Sequence, residues 1–150
     1  NSLTRKDKLV KSSSLPGKTR EINFFLINDN KYFVDLPGYG FAKIKESQRE
    51  KLRKMILWYL FDEELASIHK KIVLIIDFKV GPSEFDLEML RFLREGDLDY
   101  VIVANKIDKI SKGARMKQLN KISEKIITDK IVLYSAKTNE GREELLINIL

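Results

Sequence analysis

The sequence predicts an α/β protein with a mostly parallel sheet. After an opening hairpin, short apolar runs alternate with amphipathic stretches as far as the last residue, which is the pattern of strand–helix units. The run at residues 72–77 is apolar until its final aspartate, as in parallel strands that are buried on both faces. At 150 residues, the chain is long enough for one domain whose core needs no disulfide or metal.

The elements of the first half follow from local signals. Asn28-Asp29-Asn30 separates two apolar stretches and favours a hairpin turn. Further on, apolar residues recur at helical spacing, and we assign Trp58 and Tyr59 to the buried side of that helix together with Leu52, Met55 and Ile56. The predicted elements are the end of a helix over 1–9, a polar loop over 11–20, strands over 21–28 and 31–36, a loop over 37–41 and a helix over 47–61.

The second half continues the alternation. Ser83 is a suitable N-cap for a helix whose inward face carries Leu87, Leu90 and Leu93. The predicted elements are a strand over 72–77, a helix over 83–95, a strand over 100–104, a basic helix over 115–127, a strand over 130–134 and a helix over 141–150.

Composition excludes several classes of protein. Hydrophobic residues at 43% and charged residues at 33% are typical of a folded globular protein rather than a disordered one. No apolar run approaches the roughly 18 residues of a membrane span, so we expect no membrane partner. The absence of cysteine rules out disulfides and thiolate metal sites and favours a cytoplasmic location. The net charge of +6 favours polyanionic partners.

The quartet Asn105-Lys106-Ile107-Asp108 follows a predicted strand and indicates a guanine-binding loop. An ionised aspartate is acceptor-only, so Asp108 can accept hydrogen bonds from the ring N–H and the exocyclic amine of guanine. Adenine lacks this pair of donors, and a polar site can reject such a mismatch by roughly 10⁴-fold. Taken alone, the quartet also suits an ordinary turn.

Two further motifs follow predicted strands, at the edge where α/β sheets bind ligands. Asp35-Leu36-Pro37-Gly38 can hold Mg²⁺ through a water on Asp35 and bring the Gly38 N–H to a terminal phosphate. Ser135-Ala136-Lys137 can donate the Ala136 N–H to the guanine carbonyl oxygen. Each alone suits a plain turn, but the three motifs in this order predict a guanine-nucleotide site.

Gly17-Lys18-Thr19 matches only the end of a Walker A loop, G-x-x-x-x-G-K-[ST], because Ser12 stands where the pattern needs glycine. A phosphate loop also opens a helix, whereas residues 22–27 predict a strand. We therefore interpret Gly17-Lys18-Thr19 as part of a mobile switch loop, in which the Thr19 hydroxyl binds Mg²⁺ and its N–H binds the γ-phosphate. The lysine and the Mg²⁺-binding Ser/Thr of a phosphate loop are absent from these 150 residues.

With these motifs the chain resembles the EngB (YihA or YsxC) family of ribosome-biogenesis GTPases, in the translation-factor class of P-loop GTPases. The resemblance covers essentially the whole chain, and residues 35–43 are its most family-specific part. The other residues that carry it are Pro16 to Thr19, Ile22 to Phe25, Asp77, Gly81-Pro82, Asp86 to Met89 and Asn105 to Asp108.

The resemblance implies a three-layer P-loop NTPase fold of the small G-protein type, and it implies roles for individual residues. Thr19 and, through water, Asp35 would bind Mg²⁺. The nucleotide-binding set would be Gly17, Lys18, Thr19, Arg20, Glu21, Asp35, Leu36, Pro37, Gly38, Asn105, Lys106, Ile107, Asp108, Tyr134, Ser135 and Ala136. In the family fold a central first strand and the phosphate loop precede such a chain. We therefore expect residues 1–150 to be an N-terminally truncated single G domain that binds nucleotide poorly by itself.

The implied reaction is hydrolysis of GTP to GDP by in-line attack of water. Tyr39 stands where many GTPases carry a water-positioning glutamine, so no catalytic residue can be assigned. A monovalent cation such as K⁺, a backbone group or the ribosome would complete the site. The alternative function is a non-hydrolysing RNA- or ribosome-binding module on a degenerate GTPase scaffold.

Two basic segments make RNA a plausible partner. Residues 43–54 carry six lysines or arginines against two glutamates, and residues 109–130 carry seven against two acidic residues. Each alone also suits a solvated helix face. The family resemblance implies a monomer of the cytoplasm, or of an organelle matrix, that assists assembly of the large ribosomal subunit through its rRNA and is linked to cell division and septation.

Overall fold

The computed structural model describes residues 1–5, 21–28, 30–38, 45–65, 68, 70–128 and 130–150. The chain divides into two compact units, one of residues 12–69 and one of residues 1–11 with 70–150. The predicted switch-loop residues Gly17, Lys18, Thr19 and Arg20, like Tyr39, lie outside the described residues.

The unit of residues 12–69 contains a hairpin and a helix. Strands β1 (Asn23–Ile27) and β2 (Lys31–Asp35) pair antiparallel, with Phe25 opposite Phe33. Asn28 adopts a left-handed conformation (φ 51°) that suits the predicted turn. Helix α1 (Glu46–Phe61) follows, and its core stripe consists of Leu52, Ile56 and Leu60. The hairpin and the helix are confirmed.

The assignment of Trp58 to the core of α1 was wrong, because 55% of its surface is exposed. Successive residues of a helix are about 100° apart, so Trp58, two residues from both Ile56 and Leu60, lies on the opposite side from that buried stripe. Tyr59 is half-buried, and its ring meets the Phe24 ring edge-on at 6.1 Å. One position along a helix therefore separates a packed aromatic residue from an exposed one.

The unit that contains residues 70–150 holds a parallel sheet of β3 (Ile72–Asp77), β4 (Tyr100–Asn105) and β5 (Ile131–Leu133), in that spatial order. Residues 101–104 of the middle strand are all buried, which explains why its sequence is continuously apolar. The predicted α/β class is confirmed, as is the parallel pairing of these strands.

Helices α2 (Glu84–Glu95), α3 (Lys112–Ile126) and α4 (Arg142–Ile149) alternate with these strands. The predicted cap of α2 is present as a capping box: Ser83 Oγ accepts from the Asp86 N–H, and the Asp86 carboxylate accepts from the Ser83 N–H. Helix α3 begins at Lys112, three residues before the predicted start, so Gly113 lies in its first turn. None of the described helices is long and apolar enough to cross a membrane.

Residues 2–5 form turns, so the helix end predicted for 1–9 was wrong for this described part. Tertiary contacts hold the segment: the Arg142 guanidinium donates to the Leu3 carbonyl at 2.6 Å, and the Leu3 side chain packs on the core. That core consists of Val101, Val103, Val132, Tyr134 and Leu145. It fixes the carboxyl ends of β4 and β5 side by side, which positions the loops that follow these two strands.

Candidate guanine-nucleotide site

The quartet begins at the last residue of β4. Asn105 lies beside Asp77 in the strand register, and its Oδ1 accepts from the Lys106 N–H at 2.7 Å. Lys106 is left-handed (φ 69°), and this turns the chain out of the sheet into a short 3-10 turn, Ile107–Lys109. The Ile107 side chain is buried and anchors the turn to the protein core. The local backbone therefore presents Asp108 at the carboxyl edge of the sheet.

The loop after β5 lies directly beside this turn. Tyr134 continues the ladder: its N–H donates to the Ala104 carbonyl at 3.0 Å, and its carbonyl accepts from the Ile107 N–H at 3.3 Å. Ser135, the next residue, is completely buried. Its Oγ donates to Asp108 Oδ1 at 2.7 Å and accepts from the Thr138 N–H at 3.2 Å. The structure thus brings together the two predicted base-binding motifs, which are 27 residues apart in the sequence.

Asn105 makes a second connection between the loops. Its Oδ1 also accepts from the Ala136 N–H at 3.1 Å. That N–H is the group predicted to donate to the guanine carbonyl oxygen, and here it donates to Asn105 instead. Donation to guanine stays a prediction, and it requires this N–H to exchange or share its acceptor when the base binds.

The charge state of Asp108 suits recognition of guanine. The hydrogen bond from Ser135 is the main reason why the pKa of Asp108 lies below its ordinary value of 3.8, with Lys109 and Lys137 contributing as nearby positive charges. The carboxylate is therefore ionised at neutral pH and acceptor-only. Ser135 uses one of about four acceptor positions, which leaves capacity for both donors of guanine.

Lys106 has a partner that the sequence interpretation missed. Its Nζ donates to Asp77 Oδ2 at 2.8 Å, while Asp77 Oδ1 accepts from the Lys79 and Val80 N–H groups. Burial alone would raise the pKa of Asp77, but these hydrogen bonds, led by that from Lys106, hold it below the ordinary 3.8. The strand register was the available signal, since Asp77 and Asn105 both end strands of one parallel sheet.

The loop after β5 ends at a glycine that no other residue can replace without strain. Gly141 has φ +79°, and a Cβ at this position would lie 1.9 Å from the Leu133 carbonyl oxygen. Only glycine allows the chain to pass this close to β5 before α4 begins. Gly141 therefore fixes the far end of the loop that carries Ser135 and Ala136.

The other predicted site residues belong to the unit of residues 12–69. Asp35 ends β2 with an exposed side chain, Pro37 is buried, and Leu36 and Gly38 are half-buried. Glu21 is exposed, and its carbonyl accepts from Asn23 Nδ2 at 3.3 Å. Asp35 thus offers a carboxylate to solvent, followed two residues later by the rigid Pro37-Gly38 step.

The exposed carboxylate of Asp35 fits the way in which Mg²⁺ is usually bound beside nucleotides. Among the residues that the structure describes, no group of three or more His, Cys, Asp or Glu side chains could hold a metal ion. Mg²⁺ in nucleotide sites typically keeps several waters and uses one or two protein carboxylates together with the phosphates. A single exposed carboxylate such as Asp35 is compatible with that arrangement, in which the nucleotide supplies further oxygen ligands.

Comparison with known proteins shows which family this geometry belongs to. The sequence profile described as "50S ribosome-binding GTPase" matches residues 1–106. The chain belongs to this family. It is 42% identical over 149 residues to the probable GTP-binding protein EngB of Fusobacterium nucleatum, covering 97% of this chain and 74% of that protein. It is 38% identical over 147 residues to the protein of the same description from Bacillus subtilis, covering 96% and 74%.

A solved structure extends the likeness to three dimensions. The crystal structure of a probable GTP-binding protein engB superposes with a TM-score of 0.78 at 27% identity, covering 98% of this chain and 86% of that one. The resemblance to the EngB family and the predicted P-loop GTPase fold are therefore confirmed. Family membership supports GTPase activity.

Proposed function

We propose that this protein binds GTP with Mg²⁺, hydrolyses it to GDP and assists assembly of the large ribosomal subunit. The observation that carries the proposal is the cross-bonded pair of loops after β4 and β5. Ser135 Oγ donates a hydrogen bond to Asp108 Oδ1, and Asn105 Oδ1 accepts one from the Ala136 N–H. Together they fix an ionised carboxylate at the sheet edge where α/β folds bind ligands.

Base recognition would follow from hydrogen-bond matching. Asp108 would accept from the ring N–H and the exocyclic amine of guanine, while the stem of Lys106, tethered by Asp77, would lie against the base. Asp35 and Gly38 would meet Mg²⁺ and the γ-phosphate, with Thr19 as a further Mg²⁺ ligand. When bound, Mg²⁺ neutralises charge that develops on the phosphate oxygens, and a monovalent cation such as K⁺ would contribute in the same way.

Replacing Asp108 with asparagine tests the base assignment. Asparagine presents one acceptor and one donor, which suits xanthine, whose 2-position carries a carbonyl in place of the amine. Each mispaired buried group costs about 1–3 kcal/mol, so GTP affinity should fall about tenfold or more while affinity for xanthosine triphosphate rises. Side-by-side calorimetric titration of the full-length protein with both nucleotides measures this.

Asp97→Asn is the matched control, because Asp97 is an exposed aspartate in a left-handed turn that asparagine also favours. It should bind both nucleotides as the unmodified protein does. If Asp108→Asn kept the full preference for GTP, Asp108 would not read the base.

Ribosome binding is supported by the basic surfaces of both units. Lys117, Lys121 and Lys125 are exposed at one-turn intervals along α3, and α1 exposes Lys51 and Lys54. Regularly spaced lysines suit the phosphate backbone of rRNA. The family's own description, 50S ribosome-binding GTPase, points to the same partner.

Co-sedimentation with large ribosomal subunits across a salt series tests this partner. Affinity should fall steeply with salt, with a log–log slope of about −0.9 per phosphate neutralised on duplex DNA and of similar order for RNA. Lys117→Glu, Lys121→Glu and Lys125→Glu together should weaken binding and flatten the slope. Arg91→Glu, an exposed change on α2, is the control. Binding that responds neither to salt nor to the triple change would argue against rRNA.

We further propose, from the family resemblance, that residues 1–150 belong to a single G domain and that the protein is a monomer that acts in the cytoplasm or an organelle matrix. The same resemblance supports a link to cell division and septation. Size-exclusion chromatography with light scattering tests the monomer, and depletion followed by microscopy of septa tests the link. A stable dimer, or normal septation after depletion, would contradict the respective statement.

A further inference from the structure

One arginine of α3 contacts the far ends of both base-binding loops. Arg115 Nη1 and Nη2 donate to the two carboxylate oxygens of Glu140 at 2.6 and 3.2 Å, which is a bidentate pair. Arg115 Nε donates to the Ile110 carbonyl at 3.3 Å. Ile110 directly follows the 3-10 turn that carries Asp108, and Glu140 closes the loop that begins at Ser135.

These contacts complete a frame around the base-binding residues. The near ends of the loops are joined by Ser135 to Asp108 and by Ala136 to Asn105. The loop after β5 is closed on itself, because the Ser135 N–H donates to the Glu140 carbonyl at 3.0 Å. A displacement of Glu140 is therefore transmitted to Ser135, and from Ser135 to the carboxylate of Asp108.

The surroundings of Arg115 favour a fixed position over a mobile surface pair. Its side chain is only 16% exposed, compared with 63% for Arg91 in the Arg91–Glu95 pair on α2. Exposed pairs of the second kind contribute little, because solvent screens them and two long side chains must be ordered. The hydrogen bond from Arg115 is also the main reason why the pKa of Glu140 lies below its ordinary 4.5.

We propose that Arg115 is a positioning residue for guanine recognition, holding the two base-binding loops at the spacing that aligns Asp108 with the base. The proposal rests on the proposed function, since it assumes that Asp108 reads guanine. Arg115 does not touch the nucleotide in this scheme. It acts through Glu140 and Ile110, and its planar fork matters because lysine cannot make the same three contacts.

The test compares the affinities of the full-length protein for GTP and for inosine triphosphate (ITP), which lacks the exocyclic amine and so has only one of the two donors to Asp108. In Arg115→Met, the Asp108 carboxylate should be misaligned, so the hydrogen bond that it accepts from the amine should contribute less to GTP affinity. We expect the ratio of GTP to ITP affinity to fall about threefold to tenfold, in line with the loss of the one net hydrogen bond that the amine makes. The KM for GTP should rise by a similar factor with kcat unchanged, because binding of the base contributes equally in the ground and transition states.

Three comparisons make the result specific. Arg115→Lys keeps the charge, and its GTP to ITP affinity ratio should lie between those of the methionine variant and the unmodified protein. This variant also replaces Arg115→Met in the test if the methionine variant does not fold. Arg91→Met, the matched arginine in the exposed pair, should leave the GTP to ITP ratio unchanged. Glu140→Gln should mimic Arg115→Met, and the double variant should be no worse than either single one.

The possible outcomes separate this proposal from the proposed function. If the unmodified protein does not prefer GTP over ITP, the base assignment itself fails, and with it this inference. If the unmodified protein prefers GTP but Arg115→Met and Arg115→Lys keep the full ratio, only the positioning role is overturned. A variant that loses stability in urea while keeping the ratio also overturns it, because that result describes a purely structural contact.

Discussion

The loops after β4 and β5 are joined to each other by side-chain hydrogen bonds, whereas Asp35 at the end of β2 presents its carboxylate to solvent. In the first region Asn105, Asp108 and Ser135 all contact the neighbouring loop. In the second, Asp35 is exposed at the end of a hairpin strand, and Pro37 is the buried residue that follows. Both regions were predicted from short motifs at strand ends, yet they are built in different ways.

The difference corresponds to what each region is proposed to recognise. A base edge is read by directional hydrogen bonds, which lose strength when donor and acceptor are misaligned, so the reading groups need rigid support. A hydrated Mg²⁺ and a phosphate are recognised mainly by charge and by unhindered backbone N–H groups. An exposed aspartate and a glycine can provide these with few supporting contacts.

The largest expected effect is at the glycine that closes the loop after β5. Gly141→Ala places a Cβ 1.9 Å from the Leu133 carbonyl oxygen at φ +79°, and both the strain and the clash oppose folding. We expect a loss of about 3 kcal/mol in the free energy of unfolding, measured by urea denaturation, because the frame around Ser135 must shift.

Gly113→Ala provides the matched control, since an added Cβ there meets nothing within 4 Å and the residue lies inside α3. This change should stabilise the protein by up to about 1 kcal/mol through helix propensity. Opposite signs for the two glycine substitutions would support the rigid frame. A neutral Gly141→Ala would show that the loop after β5 relaxes easily, and the contrast between the two regions would then disappear.

A smaller effect is expected from one substitution in each region, Ser135→Ala in the loop after β5 and Asp35→Asn at the end of β2. Ser135→Ala removes the donor to Asp108 and the acceptor for the Thr138 N–H in a fully buried position. It should lower the free energy of unfolding by about 1–3 kcal/mol and weaken the preference for GTP. Asp35→Asn, at an exposed position, should change stability by less than about 0.5 kcal/mol but reduce the Mg²⁺ dependence of GTP binding.

Urea titrations and nucleotide titrations at several Mg²⁺ concentrations measure both variants. We expect the two variants to differ in what they lose. Ser135→Ala should lose stability and the preference for GTP, whereas Asp35→Asn should lose only the dependence of GTP binding on Mg²⁺. If Asp35→Asn destabilised the protein as much as Ser135→Ala, the end of β2 would be as rigidly supported as the base-binding loops.

Much of the fold could be predicted because its signals are local. The run at 72–77 coincides with β3, and Ser83 caps α2 as predicted, through a capping box with Asp86 three residues later. The quartet starts at the end of β4 as expected. These features depend on apolar periodicity and on contacts within one turn of helix, and both can be recognised in a single stretch of sequence.

Predictions that required the direction of a side chain were less successful. Trp58 was assigned to the core and is exposed, because it stands two residues from Ile56 and therefore about 200° around the helix from the buried stripe. The turn at residues 2–5 is held by Arg142, 139 residues away in the sequence from the Leu3 carbonyl that it contacts. No local pattern specifies such a contact.

The residue types at the ends of the strands, and therefore the chemistry available to the site, follow directly from the order of the amino acids. The contacts that hold those residues in place arise only when the chain is folded. The partner of Lys106 lies 29 residues away at Asp77, and that of Arg115 lies 25 residues away at Glu140. The order of β3, β4 and β5 and the packing of α3 bring these partners together. Their contacts therefore depend on the register of the sheet and on rotamers that only the assembled core selects.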